Sequence, residues 1–213
     1  MDNPKAFKPF LKALASAGLE QLVFLSLLGA QNNPVVPHRK LELAIEKLNI
    51  PHVFLRPSFF LQNFSTTHRL DICQHNDLFI PAGSGRTSFI DARDIAAVAV
   101  RALSVPHIVN GGIDLTGAEA LTYSEVAKIL SEVLGRTISY SDPLPLKFGL
   151  EMQKRGIKPA FVNIMILIYN TNRFGLAAQV TNDVRRILGR DPLRVEDFMR
   201  DFKDLFLDIK NSS

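Results

Sequence analysis

Four polar side chains and a pair of aromatic ones stand where a chain of alternating strands and helices would meet a ligand. Ser26 closes the apolar run Gln21-Leu22-Val23-Phe24-Leu25, and Leu27-Leu28 follows it. Pro57, Ser58, Phe59 and Phe60 come directly after a second run, His52-Val53-Phe54-Leu55-Arg56, and Asn63 lies three residues further on. Ligands of open parallel sheets bind just outside the carboxyl ends of the strands, so both stretches border the expected crevice. His38 opens the helix between the two runs. An imidazole of ordinary pKa, about 6.5, gives up a proton near neutrality, which makes His38 the candidate general acid. Lys40 is two residues on and points about 200° away around the helix. Each residue also has a plainer reading: a strand-end serine bonded to local backbone, an exposed first-turn histidine, and phenylalanines that fill a core.

Other polar groups point to structure rather than chemistry. Asp91 and Asp94 straddle a helix start, where carboxylates satisfy free N–H groups and favour the positive end of the dipole. His68 and His75 have only Cys73 as a companion at useful spacing, so no metal site is expected. Gly83-Ser84-Gly85 follows a short strand in mid-chain, opens no long helix, and reads as a hairpin turn.

The elements that would position these residues follow from periodicity. Phe7, Phe10, Leu11 and Leu14 predict an amphipathic helix over 4–17, stopped by Gly18. The run 21–28 predicts a strand buried on both faces. A helix over 37–48 faces inward with Leu41, Ala44, Ile45 and Leu48, and a strand covers 52–56. This order implies βαβ units. Helix is expected over 59–75 and 91–103, and strands over 77–81, 87–90 and 112–116. Thr122-Tyr123-Ser124-Glu125 is a capping box that starts a helix to Leu134, with Gly135 as its stop. A short strand at 138–140 precedes helices near 144–156, 159–173, 181–188 and 193–208.

Composition excludes several classes. The chain has 213 residues, 46% of them apolar, with 25 basic and 21 acidic side chains and a net charge of +4. The basic residues are scattered and no aromatic or loop motif accompanies them, so a nucleic-acid partner is not expected. The single cysteine, Cys73, allows no internal disulfide and suits a reducing compartment. The apolar run Phe161–Tyr169 is far shorter than the roughly 18–20 residues of a membrane span. A cytoplasmic protein with a small-molecule substrate and no membrane is the expectation.

Six segments, in order, carry a resemblance that covers nearly the whole chain. They are Leu22-Val23-Phe24-Leu25-Ser26-Leu27-Leu28-Gly29-Ala30; His38-Arg39-Lys40-Leu41-Glu42 with Ala44-Ile45-Glu46; Arg56-Pro57-Ser58-Phe59-Phe60-Leu61-Gln62-Asn63; Phe89-Ile90-Asp91-Ala92-Arg93-Asp94; Leu115-Thr116-Gly117 with the capping box and Leu134-Gly135-Arg136; and Val180-Thr181-Asn182-Asp183 with Gly189-Arg190-Asp191-Pro192. Together they resemble the NmrA-like family of atypical short-chain dehydrogenases/reductases. The resemblance implies an α/β fold: an incomplete Rossmann-like, doubly wound parallel sheet with a C-terminal helical cap. It divides the chain into a partial NAD(P)-binding domain, 1–120, and a mostly helical substrate-side cap, 121–213. It implies that Ser26 lies near the nicotinamide ribose and that the backbone of Pro57, Ser58 and Phe59 meets the nicotinamide. Phe60, or Phe59, would wall the substrate pocket, and Asn63 would orient the loop. His38 would stand where related enzymes carry a catalytic lysine.

One departure limits those implications. Family members open with a Gly-x-x-Gly-x-x-Gly turn that binds pyrophosphate through backbone N–H groups. No such turn occurs here, and His38–Glu42 contains no tyrosine for the Tyr-x-x-x-Lys pair of the wider superfamily. The expectation is an N-terminally truncated chain that binds NADP or NAD weakly or not at all. Strand 21–28 then becomes a sheet edge open to a protein partner or to self-association. Three readings stay open: an NAD(P)H-dependent oxidoreductase of a small organic acceptor, a non-catalytic redox-sensing regulator, and an inactive remnant.

Overall fold

The computed structural model describes residues 7–105 and 111–207. In chain order its first elements are α1 (Lys8–Ser16), β1 (Leu22–Leu25), α2 (Pro37–Glu46), β2 (His52–Pro57), β3 (Phe59–Phe60) and α3 (Gln62–Ser65). A π-helical turn, Asp71–His75, leads to β4 (Asp77–Leu78), β5 (Thr87–Ile90), α4 (Ala92–Ser104) and β6 (Gly111–Leu115). The remainder is β7 (Ala120–Leu121), α5 (Tyr123–Leu134), β8 (Ser139–Tyr140), α6 (Pro145–Lys154), α7 (Pro159–Arg173), α8 (Asp183–Leu188), α9 (Val195–Asp201) and α10 (Lys203–Leu207). Among the described residues no helix is long and apolar enough to cross a membrane.

The chain forms two compact units whose segments interleave. The first gathers the chain up to Ser58 with Ala92–Thr116 and Thr181–Pro192; the second gathers Phe59–Asp91, Gly117–Val180 and the chain from Leu193.

The first unit is a parallel sheet of order β1-β2-β6. Its centre is β2, whose Val53, Phe54 and Leu55 are all buried, as a strand covered on both faces requires. The edge strand β1 is shorter than its apolar run suggests. It holds four residues, and Leu25 is 47% exposed, so the expected two-sided burial does not occur. Helix α2 begins with Pro37 in its first turn, where a missing N–H costs nothing, and buries Leu41 and Ile45. Helix α4 buries Ile95, Val98 and Ala102 at helical spacing. Asp94, in the first turn of α4, meets Arg190 at 2.7 Å.

The second unit has one large core in which Phe64, Phe89, Tyr123, Phe148, Tyr169, Phe198 and Phe206 take part. The capping box forms as expected: Thr122 Oγ1 accepts from the Glu125 N–H at 3.1 Å, and Glu125 Oε2 accepts from the Thr122 N–H at 2.8 Å. Gly135 ends α5 in the left-handed region, φ 68°.

Three expectations fail in this unit. Residues 59–75 are not one helix: Phe59 and Phe60 form β3 and pair with Phe89 and Ile90 of β5, and helix resumes only in short pieces. The Gly83-Ser84-Gly85 turn makes no hairpin either, because β4 pairs with β8 while β5 pairs with β3 and β7. Gly85 serves a close approach instead. A Cβ there would lie 1.7 Å from the carbonyl oxygen of Asn172 at the end of α7. The expected helix over 193–208 is interrupted at Phe202, between α9 and α10.

Candidate functional site

The carboxyl end of the β1-β2-β6 sheet gathers four of the residues singled out in the sequence. Ser26 directly follows β1, and its N–H continues the ladder by donating to the Leu55 carbonyl at 2.7 Å. Pro57 ends β2; its carbonyl accepts from the Leu28 N–H at 3.0 Å. The Ser58 N–H donates to the Leu115 carbonyl at 2.9 Å. His38 lies in the first turn of α2, the helix that leaves this end of β1, with its ring 6.4 Å from that of Phe24.

Beneath His38 sits a buried charge cluster that the sequence reading missed. Glu42, one helical turn along α2, is fully buried. Its Oε1 accepts from the Ser26 hydroxyl at 2.7 Å and from Arg56 Nε at 2.9 Å. Its Oε2 accepts from Arg56 Nη2 at 3.0 Å and Arg39 Nη1 at 2.9 Å. Burial alone would raise the pKa of this carboxyl, but the donors from Arg56, Ser26 and Arg39 outweigh it and hold the group below its ordinary value. A glycine makes room for the clamp: a Cβ on Gly112 of β6 would fall 2.1 Å from Arg56 Nη1. A signal was present in the sequence. Glu42 adjoins Leu41 on the inward side of α2, where an acid requires a partner, and Arg56 stands on the next strand.

The electrostatics at His38 follow from this arrangement. Burial lowers its pKa, and the Glu42 carboxylate offsets part of that effect. Two buried polar atoms at this end of the sheet, His38 Nδ1 and Ser58 Oγ, have no hydrogen-bond partner within the protein among the described residues. Buried polar atoms are normally paired, so such atoms mark places where a ligand could complete the bonding. A Gly-x-x-Gly-x-x-Gly turn does not occur among the described residues. Gly29, at φ 79°, leads only into the three-residue 3-10 turn Ala30–Asn32.

The other three residues belong to the second unit. The ring of Phe59 lies 6.4 Å from Phe89 and 6.2 Å from Tyr169. Phe60 is held by pairing with Ile90, and the Asn63 carbonyl accepts from the His68 N–H at 3.0 Å. Asp91, buried just before α4, accepts from Gln62 Nε2 at 3.0 Å. Among the described residues no group of three or more His, Cys, Asp or Glu is placed to hold a metal ion.

The pattern of the NmrA-like family matches residues 8–186. An uncharacterized oxidoreductase of Bacillus subtilis is 32% identical over 194 residues, which are 89% of this chain and 66% of the relative. The NAD(P)H azoreductase of Xenophilus azovorans is 30% identical over 194 residues, 89% of this chain and 68% of the relative. The chain thus spans about two thirds of the length of these relatives. Triphenylmethane reductase of Citrobacter sp., solved in complex with NADP(H), superposes with a TM-score of 0.78 at 22% identity, over 90% of this chain and 68% of that one. This likeness establishes a Rossmann-like α/β fold.

Proposed function

Because this chain belongs to the NmrA-like family, we propose that it acts as an NAD(P)H-dependent oxidoreductase of a small organic acceptor, with His38 as the proton donor. The observation that carries this reading is the place of His38: an imidazole with a buried, unpartnered Nδ1 at the carboxyl end of a parallel sheet. The names of the relatives support an unsaturated or dye-like acceptor, since one is an azoreductase and a structural neighbour reduces triphenylmethanes.

The dinucleotide, when bound, supplies the hydride. Ser26, Pro57 and Ser58 would hold its nicotinamide end. His38 protonates the atom that the hydride leaves anionic, and solvent returns the proton to the imidazole. One acceptor, one reduced dinucleotide and one proton give the reduced acceptor and the oxidised dinucleotide. Without a pyrophosphate cradle, affinity for the cofactor is weak, with a dissociation constant on the order of 1 mM or above.

The test is oxidation of NADPH by the 213-residue chain with azo and quinone acceptors, followed across pH. An imidazole whose pKa lies below 6.5 is mostly neutral at pH 7, so kcat/KM should rise as pH falls toward that pKa and then level off. His38→Ala should lose about a hundredfold and flatten the profile. No turnover with any acceptor, together with measurable binding of NADPH, would replace this reading with a dinucleotide sensor.

A further inference from the structure

Glu42 occupies a position that a purely structural ion pair would not need. It is the meeting point of three elements: its own helix α2, the end of β1 through Ser26, and β2 through Arg56. His38 stands one turn before it on the same helix. We propose that Glu42 is the positioning residue of this site, anchoring the first turns of α2 against the strand ends so that the His38 imidazole is held in place with a fixed negative charge one turn away.

The geometry supports the proposal in three ways. First, all four donors to Glu42 come from side chains, and two of them, Arg56 Nε and Nη2, approach in the fork arrangement that fixes orientation as well as distance. Second, the Ser26 hydroxyl gives its only proton to Glu42, so Ser26 fastens the strand end to α2 and can itself only accept from a ligand. Third, Glu42 is the buried acid of the cluster. The charged side chains of the cluster among the described residues are Glu42, Arg39 and Glu46 on α2 and Arg56 on β2; Glu46 meets Arg39 at 3.1 Å but is 39% exposed, and β1 contributes the uncharged ring of Phe24. Removing the carboxylate therefore removes the group that keeps the imidazole more readily protonated than burial alone would allow.

The catalytic consequence rests on the oxidoreductase reading, whereas the positional one does not, and the experiment separates them. The His38 imidazole is titrated by NMR in the full chain without cofactor, in the native protein, in Glu42→Gln, and in the paired variant Glu42→Leu with Arg56→Met. The paired variant removes the carboxylate together with Arg56, its most buried counter-charge, while Arg39 keeps Glu46 and only the Ser26 hydroxyl loses its acceptor, which keeps a folded protein in hand should Glu42→Gln fail to fold. The titration midpoint of His38 should fall in both variants. An unchanged midpoint in the paired variant would overturn the proposal, whether or not the chain turns over.

Where turnover is seen, Glu42→Gln should lower kcat by about tenfold and leave the KM for NADPH nearly unchanged. Combined with His38→Ala, it should lose no more than His38→Ala alone, because the two residues act as a unit. Multiplying losses would show that Glu42 acts independently of His38 and would also overturn the proposal. Absence of turnover in every protein, with the midpoint shift intact, would overturn the oxidoreductase reading alone.

Discussion

Arg56 grips the carboxylate of Glu42 with two near-parallel hydrogen bonds, 2.9 Å from Nε and 3.0 Å from Nη2, in surroundings that leave the Glu42 side chain no exposure and that of Arg56 only 11%. A buried pair of this kind adds little when set against two well-packed apolar residues, because desolvation offsets the attraction. Removing one partner is another matter. Arg56→Met takes two of the four donors from a buried carboxylate, leaving it Arg39 and Ser26, and should destabilise the fold by about 3 kcal/mol in urea unfolding. Adding Glu42→Leu should recover most of the loss. A single variant as stable as the native chain would mean that Arg39 and Ser26 suffice for Glu42, or that it takes up a proton or reaches water, when Arg56 is absent.

Gly112 offers a second way to reach the same pair. Its missing side chain is what lets the guanidinium lie across β6, since a Cβ would meet Nη1 at 2.1 Å and Cζ at 2.4 Å. Gly112→Ala should therefore push Arg56 off Glu42 and cost about 1–3 kcal/mol. The same substitution placed in the Glu42→Leu, Arg56→Met background should cost clearly less, because methionine is uncharged and free to move aside. Equal costs in both backgrounds, measured by thermal and urea unfolding, would place the strain in the β6 backbone rather than in the clamp.

Elements whose signals are local were legible in the sequence. The capping box at Thr122, the limits of α7 and the strand Thr87–Ile90 all follow from caps, prolines and apolar spacing, and each occurs as read. What was not legible depends on partners distant in the chain. Phe59 and Phe60 have helical neighbours in sequence but are drawn into a strand by Phe89 and Ile90, about thirty residues away. Gly85 looked like a turn residue, and only the approach of the Asn172 carbonyl shows why it must be small. At the candidate site the strand ends and His38 could be located from the order of elements. Glu42 left only a faint signal, because an acid on an inward helix face acquires meaning only when the arginine that neutralises it is paired with it in space.

The second unit contains a histidine whose protonation should be visible in stability rather than in activity. His68 is buried and shares a hydrogen bond of 2.6 Å with the Tyr169 hydroxyl. Burial, helped by the charge of Arg155, pushes its pKa from 6.5 down to about 4. In the folded protein it therefore stays neutral down to pH 4, whereas in the unfolded chain it takes up a proton below pH 6.5. Between those values the unfolded state binds more protons, so stability must fall as the pH is lowered from 6.5 to 4, by about 3 kcal/mol, with no further contribution below that window. Replacing the imidazole with an amide that does not titrate, His68→Gln, should abolish this part of the acid loss, although the substitution carries its own cost at neutral pH. Urea unfolding of both proteins at pH 7 and pH 4 gives the comparison. Equal acid losses in the two would show that His68 is protonated in the native state, with the Tyr169 oxygen accepting its proton, and that some other group governs the acid sensitivity of this core.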